Sequence, residues 1–498
     1  MQSFLQRKAR SFVRCFLFGA MLSMASRQAT GAGVTIITHG LNGNADGWVA
    51  GMANRIPAYH RFLGTSYSYF KLYFVPNGSS YNLTWARFGG GAPSTTDSGE
   101  IIATFDWSQL ADGDSYNTYQ IASVMAQALK STTFISELNG HALCEMPIHL
   151  IGHSRGGSLI CEAARLAGTN GIWVDHLTTL DPHPLNNDGF SEFLYSAVDA
   201  PCATYQNVLF HDNYWQNLNV IAYGEPVLGA YIRKLTYLDG GYNTLTASHS
   251  DVHLWYHGTV DERIPANDTE AQLTSTELFG AWYTTFENSG LNAGFKWSLI
   301  GAGDRTSTAQ PVGVGFPAIR DGYNQKWDLG AGSAGNRTAL TVNNGSWPNI
   351  IKLNRTETNS IMQGQSTPLK LFYQWAQPNT SITTIGIYLD DDLNPLDTNQ
   401  TLLKTISVPG NGASSVSYFT TNIVLSASNA ALGYHAFFAK ITSGGQTRYL
   451  YAPEIVQIIP VPPPSLDIAK DSTNKFRIGV NGLAGQKIII QYSTNFQS

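Results

Sequence analysis

Short apolar runs alternate with helix-period stretches over the first half of the chain. Val34-Thr35-Ile36-Ile37-Thr38, Ile101-Ile102-Ala103-Thr104-Phe105 and Pro147-Ile148-His149-Leu150-Ile151 are apolar almost throughout, the pattern of strands buried on both faces. Further strand-like runs occupy 66–75, 172–180, 207–210 and 233–238. Between them, 48–63 reads as helical, and Ile121, Val124, Met125, Ala128 and Leu129 mark one face of a second helix. A third helix runs over 157–166, with Gly168 as its stop. Strands separated by helices predict a mainly parallel sheet with right-handed crossovers, an α/β domain over 34–350. From 258 to 350 the pattern loosens. An aromatic, helix-like stretch at 277–287 (Phe279, Trp282, Tyr283, Phe286) gives way to a Gly-rich segment that could extend the domain or cover a site.

Near residue 350 the period becomes two. Leu369, Leu371, Tyr373 and Trp375 alternate with Lys370, Phe372 and Gln374. Five further short strands are expected at 382–389, 402–408, 414–424, 434–441 and 448–459, which predicts an all-β, immunoglobulin-like sandwich over 351–459. Pro460-Val461-Pro462-Pro463-Pro464 is a stiff linker. Residues 465–498 read as the start of another strand-rich unit, cut short.

Composition adds a compartment. Charged residues make up only 13% of the 498, against 43% hydrophobic, a profile that suits a secreted, strand-rich protein. Net charge is −5 with no basic tract in the body of the chain, so nucleic acid is not an expected partner. Arg7, Lys8, Arg10 and Arg14 precede the apolar stretch 15–22, and Ser23-Met24-Ala25 fits a cleavage site, so residues 1–25 read as a signal peptide. Its removal leaves 26 basic and 35 acidic residues, a net charge of −9. Cys144, Cys161 and Cys202 then remain. An odd count is no disulfide framework; one bridge involving Cys202, or burial of all three as small hydrophobes, are both open.

The chemistry centres on Gly152-His153-Ser154-Arg155-Gly156, set between the strand 147–151 and the helix 157–166. Strand, sharp turn and helix form the context in which G-x-S-x-G lifts a serine hydroxyl above a sheet, with glycines where side chains would clash. Ser154 is the candidate nucleophile, and it needs a base that is itself oriented by an acid. Asp181, in Leu180-Asp181-Pro182 at the end of the following strand, is the first candidate acid. Asp212, placed at the end of the next strand, competes with it. His249, expected in a loop before a helix that Ser250 caps, is the candidate base. His253 and His257 follow at i+4 and i+8 and would lie within that helix. The alternative, a zinc site on one helix face, lacks an H-E-x-x-H, so no metal or cofactor is expected. The oxyanion needs two backbone N–H groups; Arg155, after the nucleophile, and Leu41, in the loop His39-Gly40-Leu41, are nominated. Asp390, Asp392 and Asn394 alternate in a way that could offer oxygens to calcium, although a polar turn explains them more simply.

Taken together, His39-Gly40, Gly152-His153-Ser154-Arg155-Gly156, Leu180-Asp181-Pro182 and His249 resemble the secreted serine lipases and esterases of the α/β-hydrolase superfamily, over about residues 34–260. The Leu-Asp-Pro placement resembles the pancreatic-lipase branch, and the start at an apolar strand ending in His-Gly resembles short bacterial lipases. Arg155 stands where lipases often carry Leu, Met or Gln. The resemblance implies an α/β-hydrolase fold and a secreted enzyme that cleaves carboxylic esters, foremost acylglycerol-type lipids. Trp48, Tyr214, Trp215, Trp255 and Trp282 would then suit an acyl chain at the mouth. A peptidase or polyester depolymerase would use the same triad. An inert adhesion or polymer-binding protein, contacting a cell surface or polymer through the sandwich, is the alternative of another class.

Overall fold

The computed structural model describes residues 32–59, 67–189, 194–218, 222–236, 238, 241–242, 245–261, 294–297, 337–482 (with short gaps at 344–346, 356, 358–359, 377–380, 409–416, 427, 471 and 474) and 489. The expected signal peptide, the helix at 277–287 and most of the C-terminal run 482–498 lie outside them.

The apolar runs of the first half assemble into one eight-stranded sheet. Its strands are β1 (Val34–Thr38), β2 (Ser68–Asn77), β3 (Ser80–Gly90), β4 (Ile101–Asp106), β5 (Ile148–His153), β6 (His176–Leu180), β7 (His211–Trp215) and β8 (Tyr231–Lys234), in the order β3-β2-β4-β1-β5-β6-β7-β8. β2 and β3 form an antiparallel hairpin at one edge, and the remaining pairs run parallel. Four α-helices are present among the described residues: α1 (Trp48–Ala53), α2 (Thr118–Lys130), α3 (Arg155–Thr169) and α4 (Ala247–Asp261). A capping box starts α2: Asn117 Oδ1 accepts the Gln120 N–H, and Gln120 Oε1 accepts the Asn117 N–H. Ile121, Met125 and Leu129 then pack with Ile148, Leu150 and Leu159 in a common core.

This corrects the expected fold class. Among the described residues strand outweighs helix, 39% against 19%, and the large sheet is mixed rather than the helix-flanked parallel sheet of an α/β-hydrolase. Two features account for the difference. The stretch Ser80–Gly90, which falls in none of the expected strands, is β3, paired to β2 along its whole length. Among the described residues, the connections from β6 to β7 and from β7 to β8 contain no helix.

The period-two region forms two further sheets. One is the mixed sheet β10-β16-β15-β12-β13; the other is the antiparallel sheet β14-β11-β9. They comprise β9 (Asn349–Arg355), β10 (Ile361–Met362), β11 (Ser366–Gln374), β12 (Thr383–Asp390), β13 (Thr401–Val408), β14 (Ser417–Val424), β15 (Gly433–Ser443) and β16 (Gln446–Ile459). Leu369, Leu371, Tyr373 and Trp375 alternate inward as expected and share a core with Ile385, Ile387, Phe437 and Val456. A two-stranded hairpin, β17 (Ser465–Lys470) and β18 (Phe476–Asn481), follows the proline linker.

The double-sheet unit is bonded to the first sheet at the edge where β4, β5 and β6 begin. Arg448, fully buried, donates to the Cys144 and Trp173 carbonyls and to Asp175 Oδ2. Asp175 Oδ2 also accepts the Ile148 N–H, at the first residue of β5. Trp173 Nε1 donates to Gln374 Oε1 at 2.8 Å, and Asn349 Nδ2 to the Gly171 carbonyl at 2.7 Å. Asn394 Nδ2 donates to the Pro93 and Thr96 carbonyls. Phe438, Tyr449 and Tyr451 belong to the same apolar cluster as Ile148 and Leu150. The strand starts are therefore covered, and the strand ends are left for the polar residues described next.

Candidate active site

Ser154 follows directly on β5 and occupies the N-cap position of α3 with φ 57° and ψ −127°. A non-glycine residue in this region is strained, and the surroundings hold it there. The Ser154 N–H donates to the Leu180 carbonyl at 2.9 Å, and the Ser154 carbonyl accepts from Gly157 and His183. A Cβ on Gly152 would sit 2.3 Å from the Gly156 carbonyl oxygen, and one on Gly40 2.7 Å from Ser154 Cβ. Only glycine permits this approach of the 39–41 loop to the serine. The Ser154 side chain does not cap its own helix, so its hydroxyl is not committed to local structure.

Asp181 comes immediately after β6, also at positive φ (44°). Its carboxylate is buried and accepts from Gln216 N–H (2.8 Å), Gln216 Nε2 (2.7 Å), Gly224 N–H (3.0 Å) and His249 Nδ1 (2.6 Å). The last bond assigns His249 the Nδ1–H tautomer and leaves Nε2 as the basic nitrogen. His249 retains 12% side-chain exposure while Asp181 has none. A second tie holds the imidazole: His153 Nε2 donates to the His249 carbonyl at 2.8 Å, and the two rings lie 4.5 Å apart. Ser154, His249 and Asp181 thus share one end of the sheet. Among the described residues no hydrogen bond joins Ser154 Oγ to the imidazole, a link that commonly tightens only around substrate.

Asp212 does not share this edge. It is the second residue of β7, paired in register with Thr178, whereas Asp181 lies three residues beyond Thr178, about 10 Å further along the strand direction. The run 207–210, expected as strand, precedes β7; Asn207 is bonded instead to the Ala164 and Ile172 carbonyls. Asp212 is fully enclosed by His176 Nε2 (2.8 Å), the Thr178 hydroxyl (2.5 Å) and the Tyr214 hydroxyl (2.9 Å). Burial pushes its carboxyl up to about 6.

α4 begins at Ala247, so His249 lies in its first turn, and the His249 and Ser250 N–H groups both donate to the Thr246 carbonyl. The expected loop position and the Ser250 cap are corrected: the helix has already started. His253 and His257 are buried in α4. Burial first, and neighbouring histidines second, hold His253 well below the ordinary imidazole range, while burial lowers His257 to about 3. His253 stacks on Trp48 at 4.1 Å. Among the described residues no cluster of three or more His, Cys, Asp or Glu could hold a metal.

The nominated oxyanion donors flank Ser154. Arg155 is the first residue of α3, where backbone N–H groups have no intrahelical acceptor. Leu41 follows the Gly40 that packs on Ser154 Cβ. His39 fixes this loop: its Nδ1 donates to the Gly40 carbonyl (2.9 Å), its Nε2 accepts the Trp107 N–H (3.1 Å), and its ring stacks on Trp107. The Arg155 side chain turns inward and makes a two-pronged ion pair with Asp199, both fully buried (Nε–Oδ2 2.7 Å, Nη2–Oδ1 2.9 Å).

Trp48, Tyr214 and Trp255 are core residues rather than lining of a mouth, and Trp282 lies outside the described residues. Exposed apolar side chains come instead from loops: Leu194 after β6, Leu218, Tyr223 and Leu228 after β7, and Leu245 before α4. No local pattern marks Gln216, Gly224, Asp199 or His153 as supports of the site. Asp392 Oδ1 and Asn394 Oδ1 accept backbone N–H groups two residues on, as in a polar turn.

No family model matches the chain, and no curated protein matches it. Partial likenesses exist among solved structures. A CARDB domain from Pyrococcus furiosus is 11% identical over 23% of this chain and 90% of that chain, with a TM-score of 0.15. The superoxide reductase neelaredoxin from Ignicoccus hospitalis is 16% identical over 23% and 82%, also at 0.15. An AA10 lytic polysaccharide monooxygenase from Streptomyces lividans is 18% identical over 20% and 58%, again at 0.15. Likenesses this slight carry no argument about family or chemistry.

Proposed function

We propose that this chain is a serine hydrolase of carboxylic esters, with Ser154 as nucleophile, His249 as general base and acid, and Asp181 as the group that orients His249. The observation that carries the reading is the 2.6 Å bond from His249 Nδ1 to the buried Asp181 carboxylate, made at the sheet edge where Ser154 is held at φ 57°. In the proposed reaction Ser154 Oγ attacks the ester carbonyl and His249 Nε2 takes the hydroxyl proton. The Leu41 and Arg155 N–H groups donate to the oxyanion. Collapse expels the alcohol, which receives the proton from His249, and water then releases the acyl group by the same route in reverse. The exposed apolar side chains Leu194, Leu218, Tyr223, Leu228 and Leu245 support an apolar acyl group, as in a lipid ester. The basic-then-apolar sequence of residues 1–25 supports action outside the cell.

A fluorophosphonate probe tests the central step. Wild-type protein is expected to be labelled at Ser154 and Ser154→Ala to remain unlabelled, with its ester turnover reduced by about 10⁴-fold or more. An unlabelled wild-type protein would overturn the nucleophile assignment and support the inert binding protein instead. Assays with p-nitrophenyl esters of graded chain length, set against peptide and polyester substrates, decide the scissile bond.

A further inference from the structure

Helix α3 lays one face along the segment 199–207, with a polar contact at nearly every turn. Arg155 pairs with Asp199. Three residues on, Ser158 Oγ donates to the Ala200 carbonyl at 2.6 Å. Three residues further stands Cys161, and Cys202, two residues beyond Ala200, packs against the apolar cluster to which Cys161 belongs. Beyond them, Asn207 Nδ2 donates to the Ala164 carbonyl at 2.8 Å. Thr118 fixes the segment from the other side, its hydroxyl accepting the Ala200 N–H at 2.8 Å and bonding to Ser158 Oγ at 2.7 Å. Cys161 and Cys202 are therefore bracketed in register, with the Ser158–Ala200 bond on one side and the Asn207–Ala164 bond on the other. Cys161 is buried within α3 and Cys202 is partly buried in the segment.

We propose that Cys161 and Cys202 form a disulfide when the chain folds in an oxidising medium, leaving Cys144 as a free thiol. With glutathione disulfide as oxidant, one cysteine thiolate attacks the oxidant's S–S bond and releases one glutathione. The second cysteine then displaces the other glutathione from the mixed disulfide. The pair loses two protons and two electrons, and one glutathione disulfide becomes two thiols. In the folded state the neighbouring Cys161 thiol and burial push the Cys202 thiol well above its ordinary range. Little thiolate is then available, so the bridge closes during folding, when the thiols are open to solvent. Cys144 is excluded on position: it precedes β5, at the edge covered by Arg448, and its carbonyl accepts from that side chain. The bridge would tie α3 to the segment that carries Asp199 and hence hold Arg155, whatever reaction Ser154 performs. The loop it closes is roughly 40 residues, long enough to raise the unfolding midpoint by several degrees.

The full chain, refolded with glutathione disulfide and alkylated under denaturing conditions, is mapped without reductant. The peptides bearing Cys161 and Cys202 are expected joined, to separate on reduction, with Cys144 alkylated. Reductant is expected to lower the unfolding midpoint of the wild type by about 5 °C and to leave that of Cys202→Ser unmoved. Recovery of both cysteines alkylated after oxidation, or a bridge from Cys202 to any other cysteine, overturns the proposal. An equal effect of reductant on wild type and Cys202→Ser overturns it as well. The peptide map on wild type decides the matter even where Cys202→Ser does not fold.

Discussion

The two edges of the eight-stranded sheet are built from opposite materials. At the ends of β5 and β6 stand Ser154 and Asp181, both at positive φ, with a partly exposed imidazole and hydrogen-bonded polar groups around them. At the beginnings of the same strands stand Trp173, Asp175 and Ile148, covered by Arg448, Gln374 and Asn349 of the double-sheet unit. One edge maintains strain around polar side chains, and the other is sealed by packing and buried bonds. Strain at a site survives only where the rest of the structure over-determines it. The contrast therefore teaches that changes at the first edge should cost rate, and changes at the second should cost stability.

Asparagine substitutions at the two aspartates give the largest test. Asp181→Asn keeps the size of the side chain but no longer enforces the Nδ1–H tautomer of His249, and kcat is expected to fall by about 10⁴-fold. Asp212→Asn, three residues deeper in register, is expected to leave kcat within a few-fold of wild type in whatever fraction folds. Acylation rates with a fluorophosphonate, corrected for folded protein by circular dichroism, compare the two. Loss of acylation in Asp212→Asn alone would move the chemistry into the sheet interior and end the distinction between edges.

The opposite edge yields the next test. Arg448→Ala leaves the Asp175 carboxylate and two carbonyls in a buried site without their guanidinium. Breaking a buried pair in this way is expected to cost about 3–5 kcal/mol, read as a lower denaturant midpoint. Turnover per folded molecule is expected to stay unchanged, because the substitution lies at the strand starts. A fall in kcat with the fold intact would show that the covered edge shapes the site after all.

Much of the reactive edge was legible because its signals are local. The strand–turn–helix around Ser154 announces itself through glycines and apolar spacing, and Asp181 is marked by the Pro182 that ends its strand. What escaped depends on register and long-range contact. The run Asn207-Val208-Leu209-Phe210 is more apolar than His211–Trp215, yet the ladder forms with the latter, which places Asp212 near the start of a strand rather than its end. Strand β3 was hidden by half-exposed residues and terminal glycines. The overall class departs from expectation because apolar runs at regular intervals imply helices between them, and after β6 the described residues of those connections form no helix. Arg448 and Gln374 carry no local sign of their task, since each finds its partners some 200 residues or more away in sequence.

The smallest expected effect lies at Glu225, beside the Gly224 that donates to Asp181. Burial, and after it the Asp188 carboxylate, push the Glu225 carboxyl up to about 7 from its ordinary 4.5. A carboxyl raised on folding holds its proton longer in the native state than in the unfolded chain. Stability therefore falls as pH rises from about 4.5 to about 7 and is level beyond. The full value of such a displacement, about 3 kcal/mol, shrinks to about 1 kcal/mol because much of this side chain remains in water. Glu225→Gln is expected to gain about that much stability at pH 8 and nothing at pH 4, measured as denaturant midpoints at the two pH values. A gain of equal size at both would mean that packing, not charge, governs this position. The reactive edge would then lack the pH-dependent strain that sets it apart from the covered one.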